Sequence, residues 1–267
     1  VLDDISFEIQ PGEFTGLIGS SGSGKTTLIK HLNGLLKADS GAVTFEGKNI
    51  YDKKYLLSGL RKEVGLVFQY PEQQLFGQTV LKDVSFGPMN MGMSREEAEE
   101  SARKCLELVG IDGSYYHTSP FELSGGQKRC VAIAGILAMN PKILVMDEPA
   151  AGLDPETKHH ILDLIEKIRS ERNIAIVLVS HHMEDVAAYA DKVLVLHGGR
   201  IVLSGSVQEV FSQTQLLAEI GVGVPQITSA TEKLMQAGLE LKRPAVTVDE
   251  AETMILEAFA RRKGGVQ

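Results

Sequence analysis

Gly19-Ser20-Ser21-Gly22-Ser23-Gly24-Lys25-Thr26 is the stretch from which the rest of the chain is read. Its spacing fits G-x-x-x-x-G-K-[ST], the phosphate-cradling P-loop, without a mismatch. Glu13-Phe14-Thr15-Gly16-Leu17-Ile18 before it is a short apolar run suited to a buried strand. Thr27-Leu28-Ile29-Lys30-His31-Leu32 after it continues as a helix. Glycines let backbone N–H groups turn inward around an anion, and the new helix adds its positive end. In this pattern Lys25 reaches the β- and γ-phosphates and the Thr26 hydroxyl sits on Mg²⁺. The expected phosphate contacts are Gly19, Ser20, Ser21, Gly22, Ser23, Gly24, Lys25, Thr26 and Thr27, and the expected ligand is a nucleoside triphosphate with Mg²⁺. A plain Gly/Ser turn before an ordinary helix is the alternative, and the strand, loop and helix context speaks against it.

The 267 residues are enough for one large domain, or one domain and a small appendage. A formal net charge of -8 argues against a nucleic-acid partner, which needs clustered Lys and Arg. Cys105 and Cys130 show no C-x-x-C pair and no zinc spacing, so they read as buried apolar residues in a reducing compartment. The longest apolar run, Val131 to Met139, is far shorter than the roughly 18 residues a membrane span requires. The chain opens at Val1-Leu2-Asp3-Asp4 instead of Met and shows no basic-then-apolar leader, which predicts an N-terminus cut upstream.

Read in order, Ile5, Phe7 and Ile9 alternate toward a Pro11-Gly12 turn and predict a hairpin with Phe14 to Ile18. The P-loop helix is expected to run from Lys25 to near Lys37. Ala42 to Phe45 reads as a strand with a turn at Gly47-Lys48, and Val64 to Phe68 as a strand ending on Gln69. Ser94 with Glu97 makes a capping box for a helix that Gly110 stops, and a second helix is expected from about Gln127 to Met139. The acidic run Glu96, Glu97, Glu99 and Glu100 reads as a solvated face. Ile143 to Met146 is a fully apolar strand delivering Asp147 and Glu148 at its end, where parallel sheets bind ligands. Asp154 and Pro155 open the next helix, Ile174 to Val179 is another buried strand ending near His181, and Lys192 to Leu203 folds as a hairpin. From Ser206 the pairs Ser206/Glu209, Ser229/Glu232 and Thr247/Glu250 predict capped helices. The last helix puts Ala251, Met254, Ile255, Ala258 and Phe259 on one face, which must pack on the main domain or a second subunit. Gly264 to Gln267 is expected to be a loose tail.

In P-loop nucleotidases an Asp ending an apolar strand holds Mg²⁺ and a neighbouring group orients the attacking water. Asp147 and Glu148 fit these roles, with Glu148 as candidate general base, and His181 is a second candidate for the γ-phosphate or the water. The other histidines show no partner pattern. Leu123-Ser124-Gly125-Gly126-Gln127 opens a helix with a serine and two glycines, a second backbone anion site.

That stretch resembles the signature motif of ABC-transporter ATPase domains. The family's other motifs follow in order: Walker A (Gly19 to Thr26), the Q-loop Gln69, Walker B with its glutamate (Ile143 to Glu148), the D-loop Ala151-Gly152-Leu153-Asp154 and the switch His181. The resemblance implies a P-loop α/β fold with a mainly parallel sheet, antiparallel N-terminal strands and an α-helical signature subdomain at about 90–140. It also implies Gln69 as an added Mg²⁺ ligand and participant in hydrolysis, and nucleotide contacts from Ser124, Gly125, Gly126, Gln127 and Asp154. The ligand is then ATP.

Phe68-Gln69-Tyr70-Pro71-Glu72-Gln73-Gln74-Leu75-Phe76 and Asp83 to Pro88 are similar to the ATPases of energy-coupling factor (ECF) importers of vitamins and transition-metal ions, in particular the second of the paired ATPases. The resemblance implies residues 1–205 as an N-terminally truncated ATPase domain and 206–267 as a helical extension that aids dimerisation. It implies a head-to-tail pair with a like or related ATPase, a membrane coupling subunit docked near Gln69 to Leu81, a substrate-binding membrane subunit, and a place on the cytoplasmic face of the membrane. A soluble ABC ATPase acting on nucleic acid or ribosomes, or the ATPase of another ABC importer class, is the competing reading. Cys130 departs from the basic residue common after the signature, and His182 from the acidic or small residue common after the switch histidine. The aromatic that stacks on adenine in the family would lie upstream of Val1.

Overall fold

A computed structural model describes residues 1–264. In chain order the elements are β1 (Phe14–Ile18), α1 (Lys25–Leu32), β2 (Thr44–Phe45), β3 (Lys48–Asn49), α2 (Leu57–Glu63), β4 (Val64–Val67), α3 (Val80–Asn90), α4 (Arg95–Leu108) and α5 (Gly125–Leu137). There follow β5 (Ile143–Asp147), α6 (Pro155–Arg172), β6 (Ala175–Val179), α7 (Met183–Tyr189), β7 (Lys192–His197), β8 (Arg200–Ser206), α8 (Val207–Phe211), α9 (Thr214–Glu219), α10 (Gln226–Gln236) and α11 (Val248–Gly264). The chain is mixed α/β and divides into two compact units. One holds Ile9–Glu13 and Thr26–Val179, the other Val1–Glu8, Phe14–Lys25 and the residues from Ser180 on.

In the unit containing Thr26–Val179, β4, β5 and β6 pair in parallel, with Val67 opposite Met146 and Asp147 opposite Val179. Their continuous apolar runs suit strands covered on both faces, and β4 and β6 are buried throughout. The short antiparallel pair β2 and β3 turns at Glu46-Gly47. Helices α3, α4 and α5 pack on one another. The capping box of Ser94 and Glu97 opens α4 as the sequence requires. The α5 box is formed by Ser124 and Gln127, so that helix starts at Gly125, ahead of the expected Gln127.

In the unit containing the P-loop, β1 pairs in parallel with β7, and β7 turns back antiparallel on β8. Its core joins Ile18, Val193 and Val195 of the strands to Val186 of α7, to Phe211 and Leu217 of the C-terminal helices and to Val222 of the loop after α9. The residues after Ser206 thus share one hydrophobic cluster with the strands that precede them.

Several expectations are corrected. Ile5, Phe7 and Ile9 keep their alternation of half-buried and exposed positions but belong to no strand, because alternation reports one covered face and not a hydrogen-bonded neighbour. Helix α1 ends at Leu32, where left-handed Gly34 (φ 68) lets the Leu35 N–H return to the Lys30 carbonyl. Helix α3 was not foreseen; Thr79 caps it and Pro88 lies buried inside it. Ser229 and Glu232 fall inside α10, which starts at Gln226, and Glu232 instead accepts from the Thr214 hydroxyl at 3.1 Å. On α11, Thr247 accepts from the Glu250 N–H at 3.3 Å, and the Glu250 carboxylate accepts from Val246 at 2.7 Å. Of its expected apolar face, Ala251 and Ala258 are buried, Met254 and Ile255 half-buried, and Phe259 is 49% exposed. Gly264 ends α11, and the rest of the expected tail lies outside the described residues. No helix among the described residues is long and apolar enough to cross a membrane.

Candidate functional site

All of β1 is buried, and the chain leaves it at Gly19 with φ 155. A β-carbon there would lie 2.1 Å from the Leu196 carbonyl oxygen and 2.8 Å from Ser23 Oγ, so only glycine fits. The Ser23 N–H closes the loop onto the Ser20 carbonyl at 3.2 Å. Ser23 Oγ is buried with no hydrogen-bond partner among the described residues, a state that costs about 1–3 kcal/mol until a ligand supplies one. Lys25, 7% exposed, donates to the carbonyls of Gly19 at 2.7 Å and Ser20 at 3.0 Å. A buried ammonium and an unpaired hydroxyl around a glycine-rich turn fit a phosphate group.

Thr26 and Asp147 lie on separate elements of the other unit, and the Thr26 hydroxyl donates to the Asp147 carboxylate at 2.9 Å. Asp147 ends β5 and is 8% exposed. An alcohol and a carboxylate one hydrogen bond apart are hard oxygen donors of the kind Mg²⁺ takes alongside substrate phosphates, so these residues fit that ion. Glu148 follows, half-buried, with its N–H on the Val179 carbonyl at 3.0 Å and a left-handed φ of 50. Such a conformation in a residue with a β-carbon is strained and concentrates at functional sites. Because β4 runs parallel to β5 with Val67 opposite Met146, Gln69 leaves the sheet at the end that carries Asp147 and Glu148. Gln69 itself is exposed, and the left-handed Tyr70 follows it.

In the signature stretch, Ser124 and Gln127 bond reciprocally: Gln127 N–H donates to Ser124 Oγ at 3.3 Å and Ser124 N–H to Gln127 Oε1 at 3.0 Å. Ser124 and Gly125 are exposed, while a β-carbon on Gly126 would meet Thr157 of α6 at 2.9 Å. Asp154 caps α6 by accepting from the Thr157 N–H at 3.0 Å, a bond that holds its carboxyl below the ordinary carboxylate range. His181, in the unit of the P-loop, is exposed just past β6, and the next residue, His182, donates its N–H to Ser180 Oγ at 3.0 Å.

Sequence reasoning passed over Arg129. It is buried on α5, paired through two contacts with Glu72 and bonded to the carbonyls of Pro149 and Ala151. The available signal was a lone charge on the apolar face of α5. The exposed rings of Phe76 and Phe86, in edge contact at 4.8 Å, were also not singled out individually.

The family described as "ABC transporter" matches residues 2–151. The chain is 52% identical over 255 residues to the energy-coupling factor transporter ATP-binding protein EcfA2 of Caldanaerobacter subterraneus subsp. tengcongensis, covering 96% of this chain and 89% of that one. It is 50% identical to EcfA2 of Clostridium perfringens over 96% of this chain and 90% of the relative. Among solved structures, cbiO1 from Clostridium perfringens, described as part of the ABC transporter complex cbiONQ, superposes with a TM-score of 0.74 at 37% identity, over 88% of this chain and 92% of that one. The ATP-binding cassette MJ0796, solved as a dimer in a post-hydrolysis state with ADP and Pi, superposes with a TM-score of 0.68 at 30% identity, over 77% of this chain and 90% of that one. The chain therefore belongs to the ABC transporter family, as an ATP-hydrolysing subunit of the energy-coupling factor type.

Proposed function

We propose that this ATPase pairs head to tail with a like or related ATPase and couples hydrolysis to import of a vitamin or transition-metal ion through separate membrane subunits. The observation that carries the hydrolytic site is the Thr26 hydroxyl on the Asp147 carboxylate, with Glu148 next in the chain. Gly19 to Thr27 hold the phosphates, with Lys25 on the β- and γ-oxygens. Thr26, Asp147 and Gln69 would hold Mg²⁺, which would supply charge stabilisation to the phosphate oxygens. Glu148 takes a proton from water as its oxygen attacks the γ-phosphorus, and ADP leaves on the opposite side. His181 and Gln69 orient the water and the γ-phosphate, and Ser124, Gly125, Gly126, Gln127 and Asp154 complete the partner's nucleotide site.

The membrane coupling subunit docks near Gln69 to Leu81, a position supported by the exposed Phe76 and its contact with Phe86. Residues 1–205 are the ATPase domain, and 206–267 form a helical extension whose exposed Phe259 and Leu256 suit it to dimerisation. The subunit then works at the cytoplasmic face of the membrane. Replacing Glu148 with Gln should leave ATP binding intact and abolish phosphate release; wild-type release would remove Glu148 as the base. Copurification from the native host should recover a second ABC ATPase and a polytopic membrane protein, and recovery of the chain without them would overturn the importer reading.

A further inference from the structure

Arg129, 2% exposed on α5, touches two of the segments on which hydrolysis depends. Its Nε and Nη2 donate to Glu72 Oε2 and Oε1 at 3.0 and 2.8 Å, a two-pronged pair. Its Nη1 donates to the carbonyls of Pro149 at 3.0 Å and Ala151 at 2.8 Å. The Tyr70 ring lies 5.9 Å from the guanidinium carbon. Tyr70 and Glu72 lie one and three positions after Gln69, and Pro149 to Ala151 directly follow Glu148. One side chain of the signature helix therefore fastens the Glu72 carboxylate, behind the Q-loop glutamine, to backbone carbonyls behind the candidate base.

Stability alone is a poor reason for such a pair, since a buried ion pair loses in desolvation much of what it gains in attraction. Geometry is a better one. Only a guanidinium can fork onto a carboxylate and still aim a further nitrogen at two carbonyls, and a lysine ammonium cannot. Both fastened segments begin with a strained, left-handed residue, Tyr70 at φ 55 and Glu148 at φ 50. Strain of this kind persists only where the surroundings over-determine the backbone. Burial raises the Glu72 carboxyl, and the hydrogen bonds and charge of Arg129 help to outweigh it, leaving it below the ordinary range.

We propose that Arg129 is a positioning residue for hydrolysis, clamping the segments behind Gln69 and Glu148 together so that the two side chains enter and leave their hydrolytic positions as one. The proposal rests on the assignment of Glu148 as base.

The test compares R129K, E72Q, the double variant and E148Q in the full chain within its assembled transporter, reading kcat and KM for ATP and amide exchange. R129K and E72Q should each lower kcat on the order of tenfold to a hundredfold, with KM within about twofold. The double variant should be no slower than the slower single one, as expected for groups that act as a unit. Exchange should quicken at the Gln73 and Ala151 amides, which bond to the Tyr70 and Glu148 carbonyls at 3.0 and 3.1 Å, while the strand amides of β4 and β5 keep their protection. Unchanged kcat in a variant with loosened segments would overturn the proposal. So would exchange that rises throughout the chain with kcat falling only as the folded fraction falls. If R129K does not fold, E72Q at its half-buried position decides alone. E148Q with wild-type turnover removes the base assignment, whereas E148Q inactive beside fully active E72Q and R129K removes the clamp alone.

Discussion

Replacing Glu148 separates its chemistry from its backbone. Its φ of 50 places it in the left-handed region, where a residue with a β-carbon carries about 1–2 kcal/mol of strain. Glutamine keeps that strain and glycine releases it, while the greater freedom of glycine in the unfolded chain takes back roughly 0.5–1 kcal/mol. Both variants lose the negative charge, and the side chain is only half-buried, so the backbone sets the larger part of their difference: E148G should be more stable than E148Q by about 0.5–1 kcal/mol. For a chain of this size 1 kcal/mol moves the melting midpoint by roughly 2–4 °C, so E148G should melt about 1–4 °C above E148Q in a nucleotide-free thermal scan. With saturating Mg-ATP, both should release phosphate slower than the parent by on the order of 10²–10⁴, the usual contribution of a positioned base. A midpoint for E148G at or below that of E148Q would refute the strain argument. Parent-level phosphate release by either variant would refute the base.

Phe211, 0% exposed in the cluster that joins the C-terminal helices to β7 and α7, should cost about 3–5 kcal/mol when cut to alanine, read by urea denaturation; a loss below about 1 kcal/mol would refute that shared core. Ser124→Ala removes the α5 capping box and should cost about 1 kcal/mol in the same measurement while lowering phosphate release, and a variant unchanged in both would refute its double role. Burial pushes the Cys130 thiol from 9.0 up to about 11. The folded chain therefore holds this proton between pH 9 and 11 while the unfolded chain releases it, so its contribution to stability is full below pH 9 and is lost as pH rises to about 11. Thermal midpoints across that range should fall more steeply for the parent than for Cys130→Ala, and parallel curves would refute the assignment.

The groups read from the sequence share a property: each is fixed by chemistry acting over a few neighbouring residues. A phosphate cradle needs Gly19 at its sharp exit from β1, a buried strand needs Ile143 to Met146 as a run, and a helix start needs Ser94 with Glu97 or Asp154 with Pro155. Where the structure departs, a local pattern had more than one partner open to it. The alternation of Ile5, Phe7 and Ile9 signals a covered face, which a loop satisfies as well as a strand. Ser229 and Glu232 have capping-box spacing, but Pro225 starts α10 a turn earlier and Thr214 takes the glutamate.

Arg129 marks the other limit. Its partners lie 57, 20 and 22 positions away, two of them are backbone carbonyls of no particular residue type, and no spacing rule connects them. The sequence shows the absence of a basic residue at 130 and says nothing of what the one at 129 holds. Motifs are legible because the ligand dictates residue type, whereas the contacts that set motifs relative to one another are dictated by the packed chain. The signature helix combines both kinds: its first turn is a readable capping box, and its second turn carries the buried guanidinium on which the Glu72 carboxylate behind Gln69 and the carbonyls behind Glu148 converge. A substitution at 129 should therefore leave every recognisable motif intact and still slow hydrolysis, an effect that motif inspection cannot anticipate.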